Sequence, residues 1–87
     1  MKIKDGFILR DVGGKTFVVA VGKLSKKFHG MIVLNETAKA IWNCFKSDAT
    51  REDAISVLAK EYDAPIEIIE KDVDDFISKL KEENILE

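Results

Sequence analysis

Short apolar segments of the kind that form β-strands dominate the first third of the chain. Residues 7–10 and 16–21 are rich in valine, isoleucine and phenylalanine, and residues 31–34 form a third apolar run. Between the first two runs, Gly13 and Gly14 supply the positive φ angles that a two-residue hairpin turn requires. This pattern predicts a three-stranded antiparallel sheet.

After residue 34 the spacing of the apolar residues changes from two toward the 3.6 of a helix. Asn35 is a good N-cap for a first helix. Thr50 begins a capping box for a second helix, with Asp53 in place of the usual glutamate. Pro65 suits the first turn of a third helix. The expected apolar stripes are Ala38, Ile41, Trp42 and Phe45 in the first helix, Ile55, Leu58, Ala59 and Tyr62 in the second, and Ile69, Val73, Phe76 and Leu80 in the third.

The order of these elements predicts a single α+β domain over residues 1–87. Its architecture is winged-helix-like, with a three-stranded antiparallel sheet followed by three helices (β-β-β-α-α-α). A chain of 87 residues is near the lower limit for a self-sufficient core. Its single cysteine excludes an intramolecular disulfide and fits a reducing compartment. No stretch resembles a signal peptide or a membrane span, so we expect a cytoplasmic protein with no membrane partner.

The formal net charge of −2 conceals a marked asymmetry along the chain. Residues 1–30 carry seven cations and two carboxylates, whereas residues 67–87 carry three cations and eight carboxylates. A nucleic-acid-binding helix should instead be rich in lysine and arginine. Because the last segment of the chain is acidic, we expect no nucleic acid partner. A winged-helix nucleic-acid-binding domain is the alternative interpretation.

Residues that catalyse reactions are scarce in this sequence. His29 is the only histidine and Cys44 the only cysteine, and Cys44 lies mid-helix beside the apolar stripe, where a small buried hydrophobe explains it. A zinc site needs three or four ligands, and the acidic residues between 67 and 75 lack the spacing of a calcium loop. We therefore expect no enzymatic activity, no cofactor and no metal.

The apolar run 31–34 has no charge or proline that would protect a sheet edge. An extended peptide can pair with such an edge through backbone hydrogen bonds, and a second copy of the chain can do the same. A wholly buried strand would have the same composition. The pattern alone does not choose among these alternatives.

A resemblance to a known family favours the first alternative. GMIVLNETAKAIW (residues 30–42), ATREDAISVLAKEYD (residues 49–63) and DVDDFISKLKEENIL (residues 72–86) follow one another in an order similar to that of the PqqD family of peptide-binding proteins. The most specific part is LNET followed by IW, similar to the family's LNxT…IW segment. The fold of this family is also called the RiPP precursor peptide recognition element.

The resemblance implies a non-catalytic adaptor. Such domains bind the leader segment of a ribosomally made precursor peptide and present the peptide to a separate modifying enzyme, often a radical SAM maturase. In the family, the leader lies as an added strand against the third strand, in a groove closed by the third helix.

Carried onto this chain, the resemblance implies a peptide-binding site formed by one strand and one helix. Its residues are His29, Gly30, Met31, Ile32 and Val33 on the strand, and Asp72, Val73, Phe76 and Lys79 on the helix. Gly30 would allow close approach of the ligand backbone. Lys26 and Lys27, with Asp72 and Asp75, would set the register of the ligand by charge. Core packing accounts equally well for Val73 and Phe76.

Overall fold

A computed structural model describes residues 1–22 and 32–87 of the chain. Strands β1 (Phe7–Val12), β2 (Lys15–Ala20) and β3 (Ile32–Leu34) form an antiparallel sheet in the order β1-β2-β3. Three helices follow: α1 (Glu36–Phe45), α2 (Arg51–Glu61) and α3 (Ile66–Glu82). The predicted fold class and the order of its elements are confirmed.

The β1–β2 hairpin turns where the sequence predicts it. Val12 pairs with Lys15, and the two residues between them, Gly13 and Gly14, have φ angles of 58° and 80°. Positive φ at both central positions is the geometry of a type I′ turn, which matches the twist of the flanking strands. β1 extends to Val12, two residues beyond the predicted strand.

β3 is short and buried on one side only. Phe17 of β2 pairs with Val33, and Ile32 and Leu34 turn their side chains into the core. Val33 points the other way and is 52% exposed. Met31, the first residue of the predicted strand, lies outside the described residues.

Helix α1 follows the predicted pattern. The Asn35 Oδ1 accepts a hydrogen bond of 2.8 Å from the backbone N–H of Ala38, which satisfies one of the free donors at the helix start. Ile41, Trp42 and Phe45 are buried, with Trp42 only 1% exposed. The N-cap and the apolar stripe are both confirmed.

Helix α2 has the predicted capping box, in which Thr50 and Asp53 each accept a backbone hydrogen bond from the other. The apolar stripe predicted for this helix is wrong at Ala59. Ala54 and Leu58 are buried, whereas Ala59 is exposed. A short helix with few large apolar residues leaves two faces similarly suited to burial, and packing against α1 and α3 selects the one with Ala54.

Helix α3 begins at Ile66, with Pro65 at the N-cap position just before the first turn rather than inside it. The residues that enter the core are Ile69, Val73, Ile77 and Leu80. Phe76, which the predicted stripe contained, is only half-buried, and Ile77 takes its place in the core. Among the described residues, no helix is both long and apolar enough to cross a membrane.

The first and last residues of the chain pair with each other, which the sequence pattern did not predict. Asn84, in the left-handed conformation at φ 58°, ends α3 and redirects the backbone. Ile3 then bridges Leu86, and the Lys4 N–H donates to the Ile85 carbonyl oxygen at 2.8 Å. Ile3 and Ile85 are both buried in the core.

Ion pairs link the start of α2 to α3. The Arg51 guanidinium donates from Nε to Asp74 Oδ1 at 2.6 Å and from Nη2 to Asp74 Oδ2 at 3.0 Å. Glu70 Oε2 lies 3.5 Å from the same Nη2. The bidentate geometry fixes the orientation of the Arg51 guanidinium relative to the Asp74 carboxylate. The Arg51 hydrogen bond lowers the pKa of the Asp74 carboxyl.

Replacing Trp42 with alanine should destabilise the protein strongly. The substitution removes a side chain that is 1% exposed and leaves a cavity, with an expected loss of about 3–5 kcal/mol in the free energy of unfolding. Chemical denaturation followed by circular dichroism measures this loss. Ile68→Ala, at a site 50% exposed, is the control and should change stability by less than about 0.5 kcal/mol. An unchanged denaturation midpoint for Trp42→Ala would contradict the burial of this side chain in the packing of α1.

The Arg51–Asp74 pair should make stability depend on pH in the acid range. Because the pKa of Asp74 is lower in the folded state, its contribution is complete above the unfolded pKa of about 3.9 and is lost as the pH falls through the folded value. The melting temperature of Asp74→Asn should therefore lie below wild type at neutral pH and approach it in strong acid. Asp63→Asn, at an exposed carboxyl without an ion pair among the described residues, should show no such convergence.

Candidate functional site

A groove with a volume of about 550 Å³ lies between β3, the first turns of α1, and α3. We call it the β3–α3 groove. Its walls combine apolar side chains with a few polar and charged ones. The lining residues are Ile32, Val33, Leu34, Asn35, Thr37, Ala38, Ile41, Asp72, Asp75, Phe76 and Lys79.

β3 supplies one side of the groove and also an open strand edge. Its only partner among the described strands is β2, which pairs with Val33 and its two neighbours from one side. The backbone N–H and C=O groups on the other side have no partner strand among residues 1–22 and 32–87. An open edge of this kind can accept a further strand.

The start of α1 forms the end of the groove, because Asn35 follows β3 directly and begins the helix. Thr37, Ala38 and Ile41 therefore come to lie beside β3 and line the groove. The sequence placed Ala38 and Ile41 on a core stripe and assigned no site role to Thr37. The useful signal was the absence of any loop between the third strand and the helix cap, which forces the two to be adjacent.

The third side of the groove belongs to α3. Asp72, Asp75, Phe76 and Lys79 are spaced at i, i+3, i+4 and i+7, which places them along one face of the helix. Phe76 is the one large apolar side chain that α3 contributes to the groove lining, and it is half-buried. This face lies beside the stripe that enters the core.

The structure brings together five of the nine site residues that the resemblance implies. Ile32 and Val33 line the groove from β3, and Asp72, Phe76 and Lys79 line it from α3. Val73 is 0% exposed, packs in the core and is not among the residues that line the groove. His29, Gly30 and Met31 lie outside the described residues, as do Lys26 and Lys27.

The charged groups of the groove differ in how they are paired. Asp75 Oδ2 lies 2.6 Å from Lys71 Nζ, and this hydrogen bond raises the pKa of the Lys71 ammonium. Lys79 Nζ lies 3.7 Å from Glu83 Oε1, a longer and weaker contact. Asp72 makes no hydrogen bond or ion pair with any described residue.

The one cysteine lies outside the groove and has the electrostatics of an unreactive thiol. Burial raises the pKa of the Cys44 thiol, and the carboxylates of Glu61 and Asp53 raise it further. A nucleophilic cysteine needs the opposite shift, because the thiolate is the reactive form. Within residues 1–22 and 32–87, no histidine, cysteine, aspartate or glutamate side chains are grouped to hold a metal ion.

Two valines predicted for the site should respond very differently to the same truncation. Val73→Ala creates a cavity at a fully buried position and should lower the free energy of unfolding by about 2 kcal/mol. Val33→Ala, at a position 52% exposed, should cost less than about 1 kcal/mol. Parallel urea titrations of the two variants measure the difference. Equal losses would contradict the assignment of Val73 to the core and Val33 to the surface.

Comparisons with known proteins bear on the family and the fold of the chain. A sequence model of the PqqD family, described as coenzyme PQQ synthesis protein D, matches residues 8–86. No curated protein matches the chain. The solved complex of TbiB1 with the TbiA(beta) leader peptide has a chain similar to this one, with a TM-score of 0.77, 20% sequence identity, and coverage of 100% of this chain and 95% of that chain. At this identity the structural likeness establishes a common fold, and the family match, which spans nearly the whole sequence, shows that the chain belongs to the PqqD family.

Proposed function

We propose that this protein binds the leader segment of a ribosomally made precursor peptide in the β3–α3 groove. The observation that carries the proposal is the position of the groove along an open strand edge. A peptide added beside β3 gains backbone hydrogen bonds from the strand and buries alternate side chains against the groove. Membership of the PqqD family and the leader peptide bound by TbiB1, which shares this fold, support the proposal.

The apolar lining of the groove provides the main source of affinity. Val33, Ala38 and Phe76 come from three different elements, line the groove and keep exposed apolar surface. A leader side chain inserted among them would remove apolar surface from water on both partners. The proposed contact set consists of Ile32, Val33, Asp72, Phe76 and Lys79, and it extends to His29, Gly30 and Met31 as predictions from the sequence.

The protein itself acts as an adaptor rather than an enzyme in this proposal. It holds the leader while a separate modifying enzyme, such as a radical SAM maturase, acts on the remainder of the precursor. The raised pKa of the Cys44 thiol supports a role without nucleophilic chemistry.

The charge distribution weighs against the alternative of a winged-helix nucleic-acid binder. Arg51, at the start of α2, is held by Asp74 and Glu70, so its charge is already neutralised within the protein. α3 exposes several carboxylates, including Asp72 and Asp75, which repel phosphate groups.

Titration of isotope-labelled protein with synthetic leader segments tests the proposed function. The probes are the leader segments of short precursor peptides encoded beside the gene for this chain. We expect amide chemical-shift changes concentrated in β3, in residues 35–41 and in residues 72–79. Absence of binding to every such leader, or changes confined to other surfaces, would overturn the proposal.

Replacing Phe76 with alanine should weaken leader binding at least about tenfold, because the substitution removes the large apolar side chain that α3 contributes to the groove. Isothermal titration calorimetry with the same leader measures the change. Ile68→Ala is the matched control, since it truncates an exposed apolar residue of the same helix outside the groove. Thermal melts of both variants establish that they are folded. Equal affinities for the two variants would place the leader elsewhere.

A further inference from the structure

Among the described residues, the charged side chains that line the β3–α3 groove all come from one face of α3. Asp72 and Asp75 lie toward the start of the helix, Lys79 lies toward its end, and Phe76 lies between them. The groove therefore has a negative part and a positive part separated by an apolar one. Such an arrangement distinguishes ligands by charge as well as by shape.

Existing ion pairs decide which of these charges a ligand can use. Asp75 is engaged by Lys71 at 2.6 Å, so a ligand cation would have to displace a close partner. Asp72 has no hydrogen bond or ion pair with any described residue, so within that part of the chain a ligand cation would displace no partner. Lys79 contacts Glu83 only at 3.7 Å, which leaves its ammonium donors available to a ligand carboxylate.

The spacing along α3 fits alternate residues of an extended chain. A helix rises about 1.5 Å per residue, so Phe76 lies about 6 Å along the axis from Asp72, and Lys79 lies about 4.5 Å further. Residues i and i+2 of a strand point to the same side and are separated by about 6.6 Å. Long side chains such as lysine, arginine and glutamate span the small mismatch.

From these observations we propose, resting on the proposed function, that the groove selects leaders carrying a basic, an apolar and an acidic side chain at three alternate positions. The basic residue pairs with Asp72, the apolar residue packs on Phe76, and the acidic residue pairs with Lys79. Asp72 is the specificity-determining residue for the basic position, because it is the groove carboxylate without an ion pair among the described residues.

Selection from a library of short random peptides displayed on phage tests this inference. Wild-type protein should enrich peptides in which lysine or arginine lies two residues from a large apolar residue. Asp72→Asn should lose this enrichment, Asp72→Glu should retain it, and Asp72→Lys should replace the basic residue with an acidic one. Glu67→Gln removes an exposed carboxylate of the same helix outside the groove and should leave the selected sequences unchanged.

A peptide selected by the wild type gives the quantitative test. Asp72→Asn should weaken its binding by about 2- to 5-fold, the range expected for one exposed ion pair. Changing the basic residue of the peptide to glutamine should cause the same loss in wild type and none in Asp72→Asn. Circular dichroism of Asp72→Asn should match that of wild type, because the carboxylate makes no hydrogen bond or ion pair with residues 1–22 and 32–87.

The outcomes separate this inference from the function on which it rests. If peptides are enriched and bind the groove but carry no basic preference, or if Asp72→Asn keeps that preference, the charge selection is wrong and peptide binding stands. If no peptide from the library or from a precursor leader binds, both proposals fail.

Discussion

The packing surface of α1 is the feature on which the rest of this small domain depends. β3, α2 and α3 all pack against this helix, whose buried side chains are Ile41, Trp42 and Phe45. The helix can serve three neighbours because its N-cap starts it directly after β3, with no loop to separate the strand from the core. The same constraint makes the groove, since one end of α1 must lie where β3 and α3 approach each other.

Short-range features were predictable from the sequence because they depend on a few neighbouring residues. The glycine pair of the hairpin, the Asn35 cap, the Thr50–Asp53 capping box and the α1 stripe are of this kind. The sequence could not distinguish Phe76 from Ile77 as the core residue of α3. Helical spacing allows either after Val73, and the packing of α1 and α2 against α3 decides between them.

In the candidate site, too, the features that depend on tertiary packing could not be predicted from the sequence. Ile32, Val33, Asp72, Phe76 and Lys79 were found by resemblance and line one groove, but the resemblance placed Val73 there as well. Sequence similarity indicates which helix should line the candidate site, but the rotation of that helix, which separates Val73 from Phe76, is a tertiary property. The sequence also did not predict the ion pair between Arg51 and Asp74, because these residues are brought together by the packing of α2 on α3.

The pairing of residues 2–4 with residues 85–87 has a consequence for how the domain folds. Ile3 bridges Leu86 and both side chains are buried, so this part of the core depends on residues that lie far apart in the sequence. Contacts between residues so distant in sequence carry the largest loop-closure entropy and tend to slow folding. The core around Ile3 and Ile85 is therefore completed by a contact that closes a loop over almost all of residues 1–87, so the hairpin and the helices, which rest on shorter-range contacts, can form before it.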